Sequence, residues 1–187
     1  YYRNYFNMNQ KRKICFVITS FIHYSRNFLI LEELHKHSDV ELHIVVGGAA
    51  LLPKYVSKFV NIKNELHRAG FKNVYDAYFN LEGSEGITKA KTAGLGTIEF
   101  SSIFGAIKPD LVLIRGDRFE VLAAATAAVY MNIPVAHIEG GDVSGTLDES
   151  VRHAITKLSH IHFVTNDDSK KRLLRMGENP EYVFNFG

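Results

Sequence analysis

Cys15 is the only cysteine in this chain of 187 residues, and it lies in an apolar run. One thiol excludes an internal disulfide framework and agrees with a reducing, cytoplasmic setting. An excess of either charge is also missing. The 22 Lys and Arg against 20 Asp and Glu leave a formal net charge of +2. That balance gives no electrostatic case for nucleic acid or an anionic membrane as partner. No apolar stretch approaches the roughly 20 residues that span a bilayer, and the opening YYRNYFNMNQKRK lacks the apolar core of a signal peptide. Several cofactor motifs are absent too. No Gly-x-Gly-x-x-Gly follows the first strand and no Gly-x-x-x-x-Gly-Lys loop occurs, so dinucleotide and P-loop chemistry lose their main support. There is no Gly-x-Ser-x-Gly elbow. His160 and His162 flank a strand residue in an apolar setting without a His-Glu-x-x-His or cysteine pair, so neither a protein-bound metal nor an organic cofactor is expected.

What is present is a chain 46% hydrophobic, enough for one well-buried core and short for two. From Lys13 onward, short β-branched apolar runs alternate with longer stretches of helical period, the pattern of βαβ units in a doubly wound parallel sheet. Strands are expected at 14–19, 41–46, 74–79, 111–114, 134–138, 161–164 and 182–186. Between them, helices are expected after the first strand with Phe28, Leu31 and Leu34 on the apolar face, and at 56–69, 87–107, 119–131, 149–158 and 168–176. The third of these should stop before Pro109, because proline disfavours helical backbone in the residue ahead of it. Residues 1–12 read as an extension, with Met8 as a candidate natural start, and 13–187 as one Rossmann-like domain. The sequence ends just after the last strand, where a doubly wound protein would enter a linker to a second domain.

In an open parallel sheet the ligand lies outside the carboxyl ends of the strands. Three charged segments fall there: Gly116-Asp117-Arg118-Phe119-Glu120, His137-Ile138-Glu139-Gly140-Gly141-Asp142, and Thr146 to His153. Purely structural roles fit some of them. Asp117 with Glu120 has the spacing of a helix-capping pair, Thr146 with Glu149 that of a capping box, and Asp148 with Arg152 that of an i,i+4 ion pair. His137 and Glu139 resist that explanation, since period-two alternation puts both on one face at a strand end beside two glycines. Asp117, Glu139 and Asp148 would converge from neighbouring strand ends, and clustered carboxylates can divide acid and base duties. Helix N-termini with Arg118 would suit a phosphate.

The run from Ile133 to Phe163, IPVAHIEGGDVSGTLDESVRHAITKLSHIHF, resembles the hydrolysing UDP-N-acetylglucosamine 2-epimerases of sialic acid and related nonulosonic acid pathways. Gly-Asp-Arg-Phe-Glu at 116–120, Gly-Leu-Gly at 94–96, Tyr-Ser-Arg at 24–26 and Met-Gly-Glu-Asn-Pro-Glu-Tyr-Val-Phe at 176–184 follow in the family's order. The resemblance implies the first half of a glycosyltransferase B-type fold, whose second domain holds most of the nucleotide and adds a catalytic histidine. It implies elimination of UDP with loss of the carbon 2 proton, then hydration to free N-acetylmannosamine. Asp117, Glu139 and Asp148 match the family's catalytic acids. The substrate-binding set implied is Ser25, Arg26, Arg118, His137, Glu149, Arg152 and His153, with a nucleotide sugar and the second domain as partners and a homo-oligomer at full length. One departure stands out. Related sequences carry an arginine where Phe21 stands, and Arg26 or His23 are the residues placed to substitute for it. Alternatives within the family are a 2,4-diacetamido sugar on UDP or GDP, or a nonhydrolysing epimerase. Outside it stand a non-catalytic lone domain and a glycosyltransferase acceptor domain, the last supported by fold alone.

Overall fold

The computed structural model describes residues 11–52, 61–83 and 85–186. Seven parallel strands form one sheet in the order β3-β2-β1-β4-β5-β6-β7. They are β1 (Arg12–Ile18), β2 (Val40–Gly47), β3 (Val74–Ala77), β4 (Leu111–Arg115), β5 (Val135–Ile138), β6 (Ile161–Val164) and β7 (Val183–Asn185). The helices are α1 (Phe21–Lys36), α2 (Ile62–Arg68), α3 (Gly86–Ile107), α4 (Phe119–Tyr130), α5 (Leu147–Leu158) and α6 (Asp167–Arg175). The order reverses between β1 and β4, which makes the crevice beside β1 the topological switch point.

Alternation along the strands divides the core between the two faces of the sheet. Cys15, Val17, Val45, Val112 and Ile114 meet Phe100 and Phe104 of α3, the alanines of α4 and Ile155 of α5. Phe16, Ile18, Ile44 and Leu113 meet Leu31 of α1 and Ile62 and Leu66 of α2 on the other. Residues of both sets are nearly all shielded from water, as strands covered on both faces require. Among the described residues, no helix is long and apolar enough to cross a membrane, and no cluster of three metal-ligating side chains occurs.

Boundaries shift by a residue or two from expectation. Residues 1–10, most of the expected extension, lie outside the described residues, while Arg12 already belongs to β1, in register with Val40. Of the helix expected at 56–69, residues 56–60 lie outside the described residues and α2 covers Ile62–Arg68. β3 ends at Ala77 rather than Phe79, which leaves the sheet to pack on Phe100 with ring centroids 5.2 Å apart. Before β7, Pro180–Tyr182 forms a 3₁₀ turn, since Asn179 caps it and proline sets its first position.

Candidate functional site

The rim is assembled from backbone outward. β4 and β5 pair with Arg115 opposite Ile138, so the turns that follow them, carrying Asp117 and Glu139, are neighbours. Gly116 N–H donates to the Ile138 carbonyl at 3.1 Å, and Glu139 N–H to Phe163 at 2.9 Å. Glu139 itself sits at φ 68, a left-handed conformation. Asp148 stands in the exposed first turn of α5.

Each of the first two acids is gripped by an arginine. Arg152 Nη2 donates to Asp117 Oδ2, and its Nη1 donates to the Asp142 carbonyl at 2.6 Å. Arg115 Nη2 donates to Glu139 Oε1, and its Nη1 donates to Asn27 Oδ1 at 2.8 Å. Arg26, largely exposed on α1, approaches the same Glu139 oxygen at 3.9 Å. Asp148 has no hydrogen bond or ion pair among the described residues. It opens instead on a cavity of about 700 Å³ lined also by Arg118, Phe119, Glu120, Asn80, Lys89 and Thr92. Glu139 borders a different, more apolar hollow of about 360 Å³ with Arg115, Ile30 and Phe186. The three acids occupy adjoining rim turns, Asp148 on the larger hollow and Glu139 on the smaller, with Asp117 and Glu139 each paired to an arginine.

The capping readings also change. The residue at the start of α4 is Arg118, not Asp117, and Glu120, fully buried, accepts from Arg118 Nε at 3.0 Å and Nη2 at 2.9 Å. No Asp148–Arg152 pair forms, because Arg152 is committed to Asp117. Thr146 caps α5 without a side-chain bond, while Glu149 accepts the Ser144 and Gly145 N–H groups at 2.7 Å each. Those backbone donors hold the Glu149 carboxyl below its ordinary range. Glu149, expected to bind substrate, thus shapes its own loop through one carboxylate oxygen.

His137, expected at the substrate, is wholly buried, with Nε2 2.8 Å from the Gly116 carbonyl and Nδ1 3.3 Å from Thr156 Oγ1. Burial, ahead of every charge around it, pushes it down to about 4. Arg152 likewise serves Asp117 from an almost buried position rather than open solvent. His153 is half-buried with Nε2 unpartnered among the described residues. Ser25 is exposed one turn into α1, its hydroxyl donating to the Ile22 carbonyl at 3.2 Å. Phe21, the first residue of α1, turns its ring toward Tyr24 with centroids 6.1 Å apart.

Some residues escaped the sequence. Arg115 closes an apolar strand, and Asn27 sits mid-helix; only the position of Arg115 at a strand's carboxyl end was a signal. His23 is a third. It bonds Thr19 Oγ1 through Nδ1 at 3.2 Å, and burial, then the Arg115 guanidinium, push it down to about 4.

A family model described as UDP-N-acetylglucosamine 2-epimerase matches residues 32–187. The chain is 42% identical over 176 residues to the UDP-N,N'-diacetylbacillosamine 2-epimerase (hydrolyzing) of Legionella pneumophila, covering 94% of this chain and 46% of that protein. It is 38% identical over 160 residues to the UDP-N-acetylglucosamine 2-epimerase of Neisseria meningitidis, covering 84% of this chain and 40% of that one. A crystal structure of a UDP-N-acetylglucosamine 2-epimerase superposes with a TM-score of 0.81 at 22% identity, covering 95% of this chain and 48% of that one. That likeness shows the fold, the Rossmann-like half of a glycosyltransferase B-type architecture. The chain spans about half the length of the curated relatives it matches.

Proposed function

The chain belongs to the UDP-N-acetylglucosamine 2-epimerase family, and on that premise we propose that it is the N-terminal catalytic half of a hydrolysing nucleotide-sugar 2-epimerase. The reaction is elimination of UDP from UDP-N-acetylglucosamine followed by hydration to N-acetylmannosamine. The observation that carries this reading is the rim itself: Asp148, without a partner among the described residues, and Arg118, paired with Glu120, line one 700 Å³ cavity, with Asp117 and Glu139 on adjoining turns. As the nucleotide departs, positive charge grows at the anomeric carbon and acidifies the neighbouring proton, which a positioned carboxylate can then remove. Asp148 is the acid free to do so. Asp117 and Glu139, held by Arg152 and Arg115 on the adjoining turns, add negative charge beside the developing cation. Arg26 stands in for the arginine that Phe21 displaces, moving from its loose 3.9 Å contact with Glu139 to the diphosphate. The remainder of the nucleotide site comes from the part of the relatives' length that this chain does not span, so the 187 residues alone turn over little or nothing.

A second reading of the substrate has its own support. The Legionella relative, 42% identical, is named for a diacetamido sugar, which favours a UDP-linked 2,4-diacetamido hexose. NMR product analysis separates the readings in a protein extended to the relatives' length, offered UDP-N-acetylglucosamine and the diacetamido nucleotide in turn. Free 2-epimerised sugar plus UDP is expected from one of them, and Asp148→Asn should lower that rate by about 10²-fold or more. Release of an intact epimerised nucleotide sugar, or full activity in the Asn variant, would overturn the proposal.

A further inference from the structure

We propose that His137 is a positioning residue that clamps the two rim turns carrying Asp117 and Glu139, acting as a neutral imidazole protonated on Nε2 and capped on Nδ1 by the Thr156 hydroxyl. The role of those acids rests on the function proposed above; the clamp and its tautomer rest on geometry alone.

His137 lies on β5 two residues ahead of Glu139, and its ring crosses to β4's turn, where Gly116 immediately precedes Asp117. The Gly116 carbonyl can only accept, so at 2.8 Å the imidazole donates from Nε2. Nδ1 is then the ring's acceptor, and the Thr156 hydroxyl of α5 donates to it at 3.3 Å. Gly116 N–H is already tied to Ile138, so the ring secures the other side of the same residue. With both polar groups of Gly116 anchored on β5, the turn bearing Asp117 cannot slide against the one bearing Glu139.

Three further observations agree. The ring is fully enclosed, with no path to solvent. Around it, His162 on β6 and Arg152 on α5 oppose a positive charge, the Gly116 carbonyl and Glu139 favour one, and burial outweighs them all. A Cβ on Gly140 would lie 3.0 Å from Thr156 Oγ1 and 3.1 Å from His137 Nδ1, so the chain leaves a side chain out where this pair needs room.

Long-range proton–nitrogen NMR on the labelled 187-residue chain tests the tautomer directly. The expected spectrum shows His137 with a protonated Nε2 and a bare Nδ1, unchanged from neutral pH down to about pH 5. A proton on Nδ1, or a titration near the ordinary histidine range, would overturn the proposal. His137→Gln can still donate to Gly116, whereas His137→Leu cannot. The amide signals of Gly116, Asp117 and Glu139 should therefore move in the Leu variant and return toward wild type in the Gln variant. Unmoved signals in a folded Leu variant would refute the clamp, and if that variant fails to fold, the wild-type and Gln spectra decide. In the protein extended to the relatives' length, His137→Leu should lower kcat by about tenfold or more with KM changed by less than about threefold, and Gln should restore part of kcat. An equal loss in KM alone would contradict a positioning role. No turnover in the wild type would count against the proposed function, while the nitrogen spectra would still decide the clamp.

Discussion

Glu139 holds its carboxylate on left-handed backbone at φ 68, a conformation that costs an ordinary L residue about 1–2 kcal/mol. The chain tolerates this because that backbone points the side chain back at Arg115. Glu139→Gly and Glu139→Ala both remove the pair and differ only in the Cβ. Urea unfolding should find the glycine variant more stable than the alanine variant by about 1 kcal/mol; equal midpoints would show that the backbone there is unstrained. Arg152 offers a second test at this scale. Its guanidinium is one-tenth exposed and its partner Asp117 about one-fifth, so truncating it to alanine strands a carboxylate in a poorly solvated place, at a cost of roughly 3 kcal/mol. Asp117→Ala combined with Arg152→Ala should cost clearly less than the sum of the two, as coupled partners do. Strict additivity would mean that the ion pair contributes nothing.

The connection from β5 to α5 is the element on which the rim depends. Its conformation is set by residues far along the chain: Arg172 of α6 donates to the Gly141 carbonyl, while Thr165 and Ser169 donate to Asp142 Oδ1 at 2.9 and 2.5 Å. Gly141 sits at φ 85, and a Cβ there would lie 2.7 Å from the Ser169 carbonyl. Gly141→Ala should therefore destabilise the fold by roughly 3 kcal/mol through strain and overlap together, measured by thermal or urea unfolding. A loss under about 1 kcal/mol would mean that the loop shifts freely. This element also shows the limit of local pattern. The spacing of Thr146 and Glu149 does mark the start of α5, yet Glu149 bonds upstream to Ser144 and Gly145. Asp148 and Arg152 have ion-pair spacing, yet the guanidinium prefers Asp117, 35 residues away in sequence. A spacing rule counts only neighbours along the helix, and a long arginine side chain chooses among everything within its reach.

Across the whole molecule, histidines buried in neutral form make stability depend on pH. His23 and His137 are both pushed from the ordinary 6.5 down to about 4, and burial also lowers His160 and His162. Between those values the unfolded chain binds protons that the folded chain refuses, so stability is full above about pH 6.5 and falls as pH drops toward 4. For His23 and His137 the loss is on the order of 2–3 kcal/mol each. The urea midpoint should be flat near neutrality and decline steadily below about pH 6.5; a midpoint unchanged down to pH 5 would refute the neutral burial of these rings. The parallel sheet, its two apolar faces and the positions of the rim turns were readable from the chain alone, because period and run length act between near neighbours and bury the same faces wherever the helices land. The candidate acids were readable too, as charge at strand ends. Their partners were not. Arg115 with Asn27, Arg152 with Asp117 and His137 with Gly116 join residues 21 to 88 positions apart. Only folding sets such distances, and a buried charge or ring nitrogen takes whichever partner the packed sheet brings within reach.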